Sequence, residues 1–193
     1  MRINKRSLFV MFGLCLISSQ SVFADNYKID VSGMHAAVQF RIKHLGYSWL
    51  NGQFNRFSGE FNFDENAPND AQVNVDIDAT TIDTNHAERD KHLRSDDFLA
   101  VDDFPSAKFV STSAQLDVDG NGTLEGELTL KGVTKPVTLI LTGVGAGNDP
   151  WGGYRRGFEG TTEIGLKDFG ITTDLGPASQ TVELRFSIEG IRQ

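Results

Sequence analysis

From Tyr27 to the C-terminus the chain alternates apolar and polar residues in run after run, and one charged stretch, TNHAERDKHLRSDDF at residues 84–98, interrupts the pattern. A period of two sends successive side chains to opposite faces of an extended strand. Ala36, Val38, Phe40 and Ile42 then share one face, with Gln39, Arg41 and Lys43 on the other. Val73, Val75 and Ile77 share a face in the same way, as do Leu124, Leu128 and Leu130, and Val182, Leu184, Phe186 and Ile188. Eight candidate strands fall at 27–31, 35–45, 52–63, 72–82, 107–118, 123–131, 136–147 and 156–168, with a last one at 181–191. Asp119 to Gly122 reads as a tight hairpin and residues 145–153 as a longer loop. Long antiparallel strands with few helices must close or stack to hide their edges. The expected fold is all-β, an up-and-down barrel first and a sandwich second.

The interrupting stretch has the composition of a surface helix. Arg89, Lys91 and Arg94 interleave with Glu88, Asp90, Asp96 and Asp97, and Asn85 stands where an N-cap acceptor would precede Ala87. One capped helix near 86–94 is expected, with Asp83 and Asn85 serving as turn and cap.

Residues 1–24 read as a cleaved secretory signal: Arg2, Lys5 and Arg6, an apolar run from Leu8 to Ile17, then Val22 and Ala24 at the small-residue positions before Asp25. The run is too short to span a membrane. Cys15 follows Leu14, where lipidation would require a small residue, so no lipid anchor is expected. Residues 25–193 are then a single mature domain, periplasmic and without cysteine, which excludes disulfides and thiol catalysis. Losing the leader's three basic residues takes the formal charge from −8 to −11. That balance excludes nucleic acid as a partner and disfavours tight docking on anionic lipid, except through a local patch such as Arg155 and Arg156.

No G-x-S-x-G, phosphate-binding loop, G-x-G-x-x-G or H-E-x-x-H occurs, so no motif for acyl transfer, nucleotide binding or zinc hydrolysis is present. His86 and Asp90 share a helical face but His92 lies off it, so that trio reads as solvated helix surface rather than a metal site. No metal and no cofactor are expected. His35 and His44, nine residues apart on one strand, point to opposite faces; His44 falls on the face of Phe40 and Ile42.

Strand positions are rich in phenylalanine: Phe40, Phe54, Phe57, Phe61, Phe63, Phe109, Phe158 and Phe186. A filled aromatic core satisfies this pattern, and so does a barrel lined for an elongated apolar ligand. Periodicity does not separate the two.

Five blocks together, YKIDVSGMHAAVQFRIKHLGYSWLNGQF at 27–54, TNHAERDKHLRSDDF at 84–98, GELTLKGVTKPVTL at 126–139, DPWGGYRRGFEG at 149–160 and LKDFGITTDLGPASQTVEL at 166–184, resemble the YceI family of periplasmic, lipocalin-like polyisoprenoid-binding proteins. The resemblance spans the whole mature chain. It implies an eight-stranded antiparallel barrel with one short helix laid over it, an apolar pocket for a polyisoprenoid, a homodimeric assembly and no catalytic residue. Family members often carry arginine two residues before the Phe-Gly-Ile step, where this chain has Lys167.

The resulting reading is a periplasmic protein that binds, sequesters or transports a quinone-like or prenyl lipid. Its tail would lie against Phe40, Ile42, Val75, Ile77, Phe109, Leu128, Leu130, Phe158 and Ile164, with His44 and the 84–94 segment at the polar end. The alternatives are a periplasmic enzyme acting on a prenyl-lipid substrate, and a stress-related, partner-binding barrel without a ligand.

Overall fold

The computed structural model describes residues 24–193. The signal segment assigned to 1–24 therefore lies, except for Ala24, outside the described residues. Every strand pairing is antiparallel, and the sheet closes on itself in eight positions, three of which are strands broken in two.

Strands β1 (Asp25–Ile29) and β2 (Ala37–His44) run end to end along one edge of β11 (Thr181–Arg192), Tyr27 opposite Arg192 and Phe40 opposite Leu184. Beside them, β3 (Ser48–Phe54) pairs with β2 while β4 (Phe57–Phe63) pairs with β1. Next come β5 (Gln72–Asp78) on β4 and the two-residue β6 (Ile82–Asp83) on β3. The circle is completed by β7 (Ser106–Leu116), β8 (Gly122–Leu130), β9 (Val133–Asn148) and β10 (Tyr154–Gly165), which pairs with β11 over its full length. The barrel is thus the expected fold.

Several boundaries differ from the sequence expectation. The spans 27–31 and 35–45 are two strands that together fill one barrel position. The span 52–63 is broken at Asn55–Arg56, and 72–82 is broken by a 3₁₀ turn at Ala79–Thr81. These two breaks are stitched to each other: Asn55 N–H donates to Thr81 O at 3.2 Å and Arg56 N–H to Thr81 Oγ1 at 3.0 Å. Residues 145–148 extend β9 rather than joining a loop, leaving only 149–153 as the turn, which Asp149 closes by accepting from Trp151 N–H and Gly153 N–H.

The helix α1 (Ala87–Arg94) crosses one end of the barrel between β6 and β7. Its N-cap is His86, whose Nδ1 accepts from Arg89 N–H at 3.2 Å, and not Asn85. Asn85 instead sits in the left-handed region at φ +60, its N–H bonded to the Asp83 carboxylate. Asparagine tolerates that backbone where most residues resist it, which explains its presence one position before the cap. Asn85→Ala should therefore cost about 1 kcal/mol through backbone strain, while Asn85→Gly should be close to neutral and Lys91→Ala within about 0.5 kcal/mol. Chemical denaturation of the three variants checks the order.

Asp90 is likewise not solvated. It is buried and accepts from Thr84 N–H at 2.9 Å and from the Thr84 hydroxyl, while Arg89 Nε donates to Thr84 Oγ1 at 2.7 Å. The apolar stretch that follows, Phe98 to Val101, is buried and seats the crossover against the barrel.

Candidate functional site

The inward-facing side chains of the eight positions do not meet at the axis. They enclose a cavity of ≈ 680 Å³ with an almost wholly apolar wall, within the roughly 300–1,000 Å³ span of small-molecule pockets. Phe40, Ile42, His44, Val75, Ile77, Phe109, Leu128, Leu130, Phe158 and Ile164, drawn from β2, β5, β7, β8 and β10, all border it. Among the eight strand phenylalanines only Phe57 stays off its surface.

Large rings leave room at the axis because several lie over glycines of neighbouring strands. A Cβ on Gly52 would stand 2.3 Å from Phe40 Cζ, and one on Gly126 would stand 2.4 Å from Phe109 Cζ. No other residue permits that approach, so these rings are flattened against the wall.

One end is shut. Tyr27 stacks on Phe61 with centroids 4.9 Å apart, and Phe158 meets Phe61 edge-on at 5.5 Å. Arg156, buried beneath them, places its guanidinium 4.5 Å over the Phe63 ring and pairs with Glu65. Around this floor Arg155 donates from Nη1 to Asp30 at 2.7 Å and from Nε to Asp149 at 2.8 Å, and also pairs with Glu189. Both arginines are therefore committed to internal partners. The basic patch read at Arg155 and Arg156 does not exist as a lipid-facing surface.

Among the described residues the one His/Asp/Glu grouping compact enough for an ion is Asp30, His35 and Glu189, on this outer floor and away from the cavity. Arg155 already occupies it. Its donation, followed by that of Gly33 N–H, holds the Asp30 carboxyl far below the ordinary carboxylate range, although burial opposes the shift. A carboxyl depressed on folding stabilises fully above its unfolded value of roughly 4 and loses that contribution as pH falls toward the folded value. Wild type should thus lose melting temperature on acidification below about pH 4. In Arg155→Leu, Asp30 is left 3 % exposed beside Glu189, having lost its strongest partner and keeping only Gly33 N–H and His35 Nδ1 at 3.0 Å, so the buried charge is less well compensated and its carboxyl moves back up. That variant should be destabilised at pH 7 and partly recover as the pH is lowered, which thermal melts across the two pH values would read.

The other end is the mouth. The exposed residues on the cavity wall, Lys43, His44, Leu45, His92 and Asp174, all gather here. His44 is thus a rim residue rather than a core one. From α1, Arg89, His92 and Leu93 reach the same rim, and Phe98 and Leu99 close beneath them. Opposite, residues 171–179 supply Ile171, Thr173, Leu175 and Ser179, held by the Thr173 hydroxyl donating to Asp97 O at 2.6 Å. Sequence reasoning placed the 84–94 segment here but missed Phe98, Leu99, Ile171 and Leu175. An apolar pair directly after a charged helix was the available signal. Lys167 is exposed on the turn before Phe169.

A model of the YceI-like domain matches residues 27–190. The chain belongs to the YceI family. A UPF0312 protein of Yersinia enterocolitica, YE1254, is 58 % identical over 189 residues, covering 98 % of both chains. Among solved structures, the Campylobacter jejuni YceI protein superposes with a TM-score of 0.70 at 23 % identity, over 96 % of this chain and 99 % of that one. A domain of Saccharophagus degradans described as polyisoprenoid-binding superposes with a TM-score of 0.63 at 15 % identity, over 86 % and 98 %. At those identities the two structures establish the shared fold alone.

Proposed function

We propose that this YceI-family protein is a periplasmic binding protein that holds the apolar chain of a polyisoprenoid, a quinone-like or prenyl lipid, inside its barrel. The observation that carries the reading is the cavity: an almost wholly apolar tunnel floored by Phe61 and Phe158, with its charged lining residues gathered at the rim. A chain lying along Phe40, Ile42, Val75, Ile77, Phe109, Leu128, Leu130, Phe158 and Ile164 would be desolvated along its length. An apolar group the size of a leucine or phenylalanine side chain gains on the order of 1.5–3 kcal/mol on such burial, against the entropy lost on association. His44, Arg89 and His92 would meet the polar end. The polyisoprenoid-binding description of the Saccharophagus domain, on the same fold, supports the choice of ligand class.

No catalytic residue is assigned. Titratable groups bordering the cavity sit at its rim, where solvent rather than a shielded reacting centre surrounds them. The test is mass spectrometry of an organic extract of protein purified from periplasm, with the intact mass measured in parallel. Stoichiometric isoprenoid on a chain beginning at Asp25 is expected. A chain that keeps residues 1–24, or a delipidated barrel that takes up no isoprenoid from detergent, would refute the reading.

A further inference from the structure

The β2–β3 hairpin projects beside the mouth, and its tip, residues 43–49, is exposed throughout. It carries Tyr47 at 88 % exposure, Leu45 at 57 % and Trp49 at 44 %. Leu45 and Gly46 occupy the central positions of the turn at φ +51 and +83, closed by Tyr47 N–H donating to His44 O at 3.0 Å. A turn of this type favours asparagine or glycine at both centres. Leucine there is strained and exposed, a combination that marks a position kept for something outside the fold.

Cations flank the aromatics. The Arg41 guanidinium lies 4.3 Å from the Trp49 ring centroid and Lys43 Nζ lies 5.6 Å from it. Residues 41–51 contain Arg41 and Lys43 but no acidic residue, in a chain of formal charge −8; Arg41 is paired with Glu183, and Lys43 is exposed. Tryptophan and tyrosine bearing apolar faces, with cations alongside, are the composition that settles at the headgroup level of a bilayer. Lys43, His44 and Leu45 also border the cavity. The surface that would touch a membrane is therefore continuous with the opening through which a chain would pass.

The geometry points to the 43–49 hairpin tip as a docking element for the anionic phospholipid surface of a bilayer, setting the mouth against the membrane so that an apolar chain enters without crossing water. The inference rests on the carrier reading for what passes through the mouth, and on the hairpin alone for the docking.

In Trp151→Phe protein Trp49 is the sole tryptophan. Vesicles of mixed phosphatidylglycerol and phosphatidylcholine should shift its emission to the blue, and brominated acyl chains should quench it. Adding Tyr47→Ser and Ser48→Asp, at two exposed positions that do not border the cavity, should weaken partitioning roughly tenfold or more, by loss of the amphipathic ring and by repulsion from the anionic surface. Isoprenoid loading from detergent should be unchanged in that variant. Trp49 emission indifferent to vesicles, partitioning equal after the two substitutions, or equal partitioning onto pure phosphatidylcholine would overturn the proposal. Failure of every form to load from detergent would strike the carrier reading instead, and the vesicle quenching would still decide the docking.

Discussion

Val75→Trp should strip the barrel of lipid while leaving the empty protein folded. Val75 is buried in the wall of β5, opposite Phe109 of β7 and Gly59 of β4, and its side chain borders the cavity. In a filled core the added indole would overpack and cost about 1–3 kcal/mol. Here it has unoccupied volume to enter, and it takes volume from the ligand. The comparison must use fully delipidated protein, because bound ligand raises stability by mass action and would otherwise lower the variant's melting temperature for an indirect reason. An unchanged melting temperature with a several-fold fall in co-purified lipid is the expected pair of results. A delipidated variant that melts much earlier would mean that the indole does not fit into the cavity.

Phe169→Ala should have the opposite signature. The ring is 1 % exposed and lies off the cavity surface, in the 3₁₀ turn Leu166–Phe169 whose neighbours Leu166 and Ile171 help to form the rim. Removing a fully buried phenylalanine costs about 3–5 kcal/mol. For a domain of this size that corresponds to a fall of roughly 6–20 °C in melting temperature, seen with or without lipid. A fall of only a degree or two would show that the turn relaxes to fill the space. Lys167→Arg, on the exposed side of the same turn, should stay within about 0.5 kcal/mol of wild type.

The lining of the barrel was legible because period-two alternation is a local property: Val73, Val75 and Ile77 needed no partner strand to declare their face. The breaks in the second and third barrel positions were missed, yet all three breaks carry a sign. Inward residues are odd-numbered in β1 (Tyr27, Ile29) and even-numbered in β2 (Val38, Phe40). They are even through Leu50 and Phe54, then odd through Phe61 and Phe63; they are odd through Val75 and Ile77, then even at Ile82. Each change of parity across a few residues marks a break that a count of apolar residues passes over. The cap at His86 was not legible for a different reason. Asn85 and His86 can both accept a hydrogen bond, and only the φ of +60 at Asn85 decides between them. Whether the phenylalanines fill the barrel or line it was equally beyond reach, since ring orientation depends on which residue of the paired neighbouring strand lies beneath the ring.

If the barrel carries a lipid as proposed, that last dependence sets where selectivity for chain length would reside. Gly52 and Gly126 sit behind Phe40 and Phe109, so the bore of the tunnel is fixed by what the wall lacks. A single methyl added at either glycine would tilt a ring toward the axis and shorten the longest chain the tunnel accepts, with every lining residue unaltered. Two barrels of this kind could present identical interior side chains and still sort lipids by length, and the positions that distinguish them would be ones no ligand touches.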